Sequence, residues 1–121
     1  MCRKAHGSAF GSFLHVRAED FRWIAGSEQV TNYATVKGNV RAFCSQCGSN
    51  VPVIPAGGYP VNIPAGTLDD DPGVRPAVHI YTASMAPWHE ITDELEQFEG
   101  FPPDEWIKET LGDWGSGNEP T

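Results

Sequence analysis

The chain of 121 residues has few cations, few cysteines and no long apolar run. Eight Lys and Arg stand against sixteen Asp and Glu, which gives a net charge of -8, and the cations are scattered. Attraction to nucleic-acid phosphates or to an anionic membrane is therefore not expected. No apolar stretch approaches the roughly 20 residues of a membrane-spanning helix, and the first residues lack a signal-peptide core. These absences predict a cytoplasmic protein with neither nucleic acid nor membrane as a partner.

The length and the turn-forming residues predict one domain built mainly of β-structure. A chain of 121 residues can bury one modest core, and thirteen Gly and ten Pro interrupt it too often for long helices. We expect a single domain over residues 1–114 and a disordered tail over 115–121, where Gly, Ser and Pro predominate.

Alternating and β-branched segments predict short antiparallel strands. The predicted strands lie at residues 9–16, 21–24, 30–36, 40–43, 50–55, 59–64 and 77–81. The turn signal Lys37-Gly38-Asn39 predicts a hairpin between the third and fourth of them. A short helix is expected near residues 103–111, and residues 2–8 fit either a short helix or a loop.

The segment Cys44-Ser45-Gln46-Cys47-Gly48 is the strongest chemical signal in the sequence. Two thiolates at this spacing can bind one Zn²⁺ at about 2.3 Å each, and Gly48 readily takes the backbone angles that such a turn needs. A redox-active pair and a pair of unliganded thiols are the alternatives. Redox activity depends on a helix that begins at the motif, whereas residues 49–55 have the pattern of a strand with two prolines, so zinc binding is favoured.

Cys44 and Cys47 supply only half of the four ligands that a structural zinc requires. The other candidate ligands in the sequence are Cys2, His6, His15, His79 and His89. Only Cys2 and His6, four residues apart, have a spacing that would suit a second pair. An isolated histidine in a strand, such as His79, is more often packed or exposed to solvent than bound to a metal.

Five sequence blocks together resemble the glutathione-dependent formaldehyde-activating enzyme family, which also includes centromere protein V. The blocks are Cys2-Arg3-Lys4-Ala5-His6-Gly7-Ser8-Ala9-Phe10, Phe43-Cys44-Ser45-Gln46-Cys47-Gly48-Ser49, Ala65-Gly66-Thr67-Leu68-Asp69, His79-Ile80-Tyr81 and Ala86-Pro87-Trp88. Their order and spacing fit together and extend over about residues 2–103. The combination is far more specific than any one block.

The resemblance implies a β-tent fold with two zinc sites. Cys44 and Cys47 match ligands of the structural zinc, and Cys2 matches the last of three ligands of a catalytic zinc. The implied activity is that of a carbon-sulfur lyase, similar to S-hydroxymethylglutathione synthase, with a thiol such as glutathione and an aldehyde as small-molecule partners. A zinc ion with three protein ligands keeps a position open for chemistry, while a site with four is closed and stabilises the fold.

The remaining zinc ligands of the family would lie before Met1. We therefore expect the natural protein to begin some tens of residues earlier, with decay of the gene as the alternative. As written, the chain is expected to lack activity, because Cys2 alone cannot fix a zinc ion. The alternative function is a non-catalytic, zinc-stabilised interaction module. Missing strands would expose a sheet edge, so we also expect a homodimer, with Cys44 and Cys47 of two chains around one zinc.

Three other features have a simple structural interpretation. Arg3 and Lys4 could attract a substrate carboxylate, but two adjacent surface cations are more often only solvated, and we assign them no role. Trp88 follows a proline and is expected to pack in the core. The acidic residues 69–71 precede Pro-Gly and lack the alternation of a calcium loop, so they are expected to be solvated.

Overall fold

The computed structural model describes residues 2–55, 60–110 and 112, with Cys2 described by its backbone alone. These residues form two compact units. The first unit contains the described residues before position 13 and after position 69, and the second contains those from 13 to 69. The strands are β1 (Phe13–Val16), β2 (Val30–Ala34), β3 (Val40–Cys44), β4 (Val61–Pro64), β5 (Val78–His79) and β6 (Glu96–Gln97), and the helices are α1 (Cys2–His6) and α2 (Asp104–Thr110).

The mainly β-class predicted from the sequence is confirmed. Short strands paired in twos, together with four 3₁₀ turns and two short helices, make up the ordered backbone of the described residues, and the described strands do not close into a barrel. The limits 1–114 of the predicted domain stay a prediction, and the predicted tail 115–121 falls outside the described residues. No helix in the described part of the chain has the length and apolar character needed to cross a membrane.

In the second unit, β2 and β3 form the predicted antiparallel hairpin. Their register pairs Val30 with Cys44 at one end and Ala34 with Val40 at the other. Gly38 has a φ of 86° in the connecting turn, a conformation that glycine adopts without a steric penalty. The hairpin therefore places Cys44 at the end of a regular strand.

The second antiparallel pair in this unit is β1 with β4, in a register from Phe13 opposite Pro64 to Val16 opposite Val61. Residues 50–53 lie between the two pairs: Val51 donates its N–H to Ala42 of β3, and Val53 exchanges backbone hydrogen bonds with Asn62 of β4. This bridge confirms the antiparallel arrangement predicted for residues 50–55 and 59–64, although 56–59 fall outside the described residues. Val61 and Ala42 are the buried centre of the unit.

The strand predicted at residues 21–24 is wrong. Residues 21–24 form an irregular segment between two 3₁₀ turns, in which the rings of Phe21 and Trp23 meet edge to face with centroids 5.1 Å apart. Ile24 is 90% exposed. The alternating pattern is present, but the segment pairs with no described strand, and its aromatic residues pack on each other instead.

In the first unit, α1 ends where Gly7 takes a φ of 72° and donates its N–H to the carbonyl of Arg3. The parallel pair β5 and β6 is continued by hydrogen bonds from Phe98 N–H to His79 and from Tyr81 N–H to Gly100. Helix α2 confirms the short helix predicted near residues 103–111; it follows two prolines and buries Ile107. Both β-strands here contain only two residues.

Candidate metal-ligand site

Cys44 and Cys47 lie on a tight turn at the end of β3. The N–H of Gly48 donates to the carbonyl of Cys44 at 2.7 Å, and the N–H of Cys44 donates to the carbonyl of Ser49 at 2.9 Å. Gly48 has a φ of 79°, which confirms the prediction that this turn needs glycine. The turn is attached to the preceding 3₁₀ turn, because the N–H of Ser45 donates to the carbonyl of Gln29 at 2.8 Å.

The hydrogen bonds around Cys47 favour its thiolate form. The N–H of Gln46 donates to Cys44 Sγ at 3.4 Å, and Cys47 Sγ lies 3.1 Å from Ser49 Oγ. Hydrogen bonding by the side chain and the backbone of Ser49, with a smaller contribution from Cys44, lowers the pKa of Cys47. Both cysteines are free thiols, Cys44 half-buried and Cys47 exposed. Two sulfur atoms on one tight turn suit two ligand positions of a zinc ion.

The described residues do not complete a four-ligand site around this pair. No group of three or more His, Cys, Asp or Glu side chains in that part of the chain is placed to hold a metal ion. Cys2 belongs to the first unit and to α1, and its side chain is outside the description. The fit of the described residues to a zinc site is thus limited to two ligands.

Each of the four histidines contacts a nearby residue, and none belongs to a group of three or more potential metal ligands among the described residues. Burial lowers the pKa of His15, opposed by a hydrogen bond with Asn62, its neighbour across β1 and β4. His6 Nδ1 accepts a hydrogen bond from the N–H of Ser8 at 3.3 Å, and the ring of His89 lies 5.2 Å from that of Phe10. Cys2 and His6 are the first and last residues of α1, and their pairing as metal ligands stays a prediction.

His79 and Asp93 form a side-chain pair that the sequence did not indicate. Nε2 of His79 lies 3.0 Å and 2.9 Å from the two carboxylate oxygens of Asp93. The N–H of Leu95 donates to the same carboxylate at 2.9 Å, and this bond, followed by the contact with His79, lowers the pKa of Asp93. The two residues are 14 apart along the chain. The pair links β5 to the segment before β6.

The turn Thr82–Ser84 carries two further features that the sequence did not predict. Tyr81, which precedes it, has a φ of 56° and a ψ of 39°, and among the described residues it alone combines a side chain with a positive φ. Nε of Arg3 donates to the carbonyl of Ser84 at 3.3 Å. A tyrosine in this conformation has no sequence signature, and the contact joins residues that are 81 positions apart.

The predicted packing of Trp88 is wrong, while the solvated acidic run is confirmed. Trp88 is 72% exposed, and the neighbouring Ala86 is the residue that is fully buried. The N–H of His89 donates to the carbonyl of Ala86, so the turn directs the small residue inward. In the acidic run, Arg75 forms paired hydrogen bonds with the carboxylate of Asp71, which lowers the pKa of Asp71 to about 2.

A shallow cleft of about 160 Å³ opens in the second unit near the cysteine turn. Its lining is mixed apolar and uncharged polar, formed by Trp23, Ser27, Val30, Asn32, Pro52 and Ile54. Ser27 begins the 3₁₀ turn whose last residue, Gln29, accepts the hydrogen bond from Ser45. The lining comes from three separate stretches of the chain, so no local motif could have indicated it.

The sequence profile of the glutathione-dependent formaldehyde-activating enzyme family matches residues 1–84. The match covers more than half of the chain and includes all three cysteines. The chain belongs to this family. Comparisons with curated proteins and with solved structures give no significant match. Membership places the chain among proteins linked to formaldehyde activation and chemistry of the carbon-sulfur lyase type.

Proposed function

We propose that the domain serves the addition of glutathione to formaldehyde, and the reverse cleavage, in a protein stabilised by zinc. In the addition, a bond forms between the thiol sulfur and the carbonyl carbon, the carbonyl π-bond breaks, and the proton of the thiol ends on the oxygen. The family match over residues 1–84 carries this proposal, since the family's name states both reactants. A β-tent arrangement of the short strands belongs to the same proposal.

Cys44 and Cys47 are proposed as ligands of the structural zinc and Cys2 as a ligand of the catalytic zinc. The N–H of Gln46 that donates to Cys44 Sγ, the contact between Cys47 Sγ and Ser49 Oγ, and the left-handed Gly48 support the first assignment. The second rests on the matched position of Cys2 alone. When bound at a site with an open position, zinc supplies Lewis acidity that favours the thiolate form of a thiol and polarises a carbonyl oxygen.

With these three cysteines as its only thiol ligands, the chain is expected to bind zinc without accelerating the addition, which would need further zinc ligands. Its three cysteines cannot provide a closed site together with a second site of three thiolates. We propose instead that Cys44 and Cys47 share one zinc ion with the same pair of a second chain. Zinc content should then be about one half per chain, and added zinc should convert monomers to dimers.

The test combines metal analysis, light scattering and NMR on the chain and on a Cys44→Ser/Cys47→Ser variant. We expect cysteine-dependent zinc binding, saturation transfer from the protein to glutathione, and no faster exchange of formaldehyde with glutathione than in the variant. Faster exchange would contradict the predicted inactivity. Zinc binding without glutathione binding would overturn the proposed substrate and favour a non-catalytic interaction module.

A further inference from the structure

Arg3 is held in place differently from its neighbour Lys4. The side chain of Arg3 is half-buried, and its Nε donates to the carbonyl of Ser84 at 3.3 Å. Among the described residues, the terminal guanidinium nitrogens of Arg3 have no hydrogen-bond partner. Lys4 is exposed, and its side chain forms no hydrogen bond or ion pair with those residues. Arg3 therefore presents an oriented pair of N–H donors, while Lys4 is only a mobile point charge.

The positive charge of Arg3 is uncompensated in an acidic part of the protein. No carboxylate of the described residues lies within 4.0 Å of its guanidinium, whereas Arg75 in the same unit is paired with Asp71 at 2.8 Å. The segment from 90 to 109 in this unit is rich in Asp and Glu. An anionic ligand would be repelled from most of such a surface, so a fixed and unpaired cation is the place where it can bind.

The turn that fixes Arg3 is itself maintained in a strained conformation. Tyr81 keeps its left-handed backbone while its N–H donates to Gly100 and its carbonyl accepts the N–H of Ser84. Thr82 adds a backbone bond to Phe98. Strain of this kind in a non-glycine residue persists only where the surroundings enforce it, and such residues cluster at functional sites. Here the enforced turn presents the Ser84 carbonyl that orients Arg3.

We propose that Arg3 binds a carboxylate of the thiol substrate and thereby selects peptide thiols such as glutathione over neutral thiols. This inference rests on the proposed function, since it takes glutathione as the substrate. A carboxylate matches the planar fork of the guanidinium and can accept two parallel N–H bonds from it. Arg3 follows Cys2 directly in α1, so the same short helix carries the proposed zinc ligand and the proposed specificity residue.

The test measures binding to the unaltered chain and to three variants, with ligands that cannot react. S-methylglutathione has no thiol, so neither it nor its diethyl ester needs a metal in order to bind. S-methylglutathione has both free carboxylates, and the diethyl ester has neither. Arg3→Gln should weaken binding of S-methylglutathione about tenfold and leave the ester unchanged. Arg3→Lys should fall between, because it keeps the charge without the fork. Lys4→Gln, the matched control, should change binding by less than about twofold.

Isothermal titration calorimetry and NMR shift mapping give the dissociation constants, and circular dichroism checks that Arg3→Gln is folded. Equal weakening by Arg3→Gln and Lys4→Gln would overturn the inference, because it would show a general charge effect. Equal affinity of the unaltered chain for S-methylglutathione and for its diethyl ester would also overturn the inference. Absence of binding by both ligands would instead reject glutathione as substrate, and with it the basis of the inference.

Discussion

Gly48 is the residue on which the cysteine turn depends most directly. Its φ of 79° lies in the left-handed region, and a Cβ at this position would meet no atom within 4 Å. The cost of a side chain is therefore a backbone cost alone. Gly48→Ala should lower the free energy of unfolding by about 1–2 kcal/mol, and Gly48→Asn by less, because Asn tolerates this conformation.

Gly66 provides the matched control for this prediction. It lies in the same unit, has equally open space around it and does not have a left-handed φ. Gly66→Ala should stay within about 0.5 kcal/mol of the unaltered chain in urea denaturation. If Gly48→Ala proved as stable as Gly66→Ala, the left-handed turn at Cys44–Gly48 would be incorrect.

The pair His79 and Asp93 links β5 to the segment before β6 in the first unit. This link makes the stability of the first unit sensitive to acid. The folded pKa of Asp93 is lowered by the Leu95 N–H and by His79, so its contribution is present above the unfolded pKa of about 3.9. It is lost as pH falls through the lower folded pKa. The difference in Tm between the unaltered chain and Asp93→Asn should therefore narrow steadily below pH ~4.

Glu94→Gln is the control for this acid dependence. Glu94 is exposed and has no side-chain partner among the described residues. Glu94→Gln removes the same charge from the neighbouring position, so the Tm of this variant should differ little from that of the unaltered chain at every pH. A difference for Asp93→Asn that stayed constant between pH 7 and pH 2 would show that the carboxylate charge contributes nothing to this link.

Helix α2 is attached by one buried aliphatic residue and one aromatic contact. Ile107 is 7% exposed, while Trp106 packs edge to face on Phe98 and donates Nε1–H to Glu96 at 2.6 Å. Ile107→Ala should destabilise the protein by ~2–5 kcal/mol, because it leaves a cavity in a small core. Far-UV circular dichroism during urea denaturation measures this loss.

The exposed residue Lys108 tests whether the effect comes from burial rather than from helix propensity. Lys108→Ala lies in the same helix and should change stability by no more than about 0.5 kcal/mol. A loss below ~1 kcal/mol for Ile107→Ala would mean that α2 contributes little to the core of the first unit.

Across the whole molecule, the sequence predicted structure that depends on neighbouring residues and missed structure that depends on contacts between distant parts of the chain. The hairpin of β2 and β3 was predictable because the strands are adjacent and a glycine turn joins them, and Gly48 was predictable from its place after the second cysteine. The strand at residues 21–24 was wrong because alternation cannot show that a partner strand is lacking. Likewise, a Trp following Pro gave no sign that Ala86 would be the buried residue.

The candidate site was predictable only in part for the same reason. Spacing identifies Cys44 and Cys47 as a pair, and the family match supports that interpretation. The fixed guanidinium of Arg3 depends on a residue 81 positions away, and the Tyr81 conformation depends on hydrogen bonds to residues 98–100. Neither leaves a pattern in a single sequence, because both arise from contacts that form only in the folded chain.

The division of the first unit into two distant pieces of sequence sets an order of events during synthesis. Residues 13–69, with both antiparallel pairs, leave the ribosome as one uninterrupted stretch and can fold as they emerge. Helix α1 is made before this stretch, yet its contact at Ser84 is 81 residues later, a delay of about 4–16 s at roughly 5–20 residues per second. The nascent segment of α1, with Cys2, is therefore exposed to the cell's thiols and metals before its own unit can form.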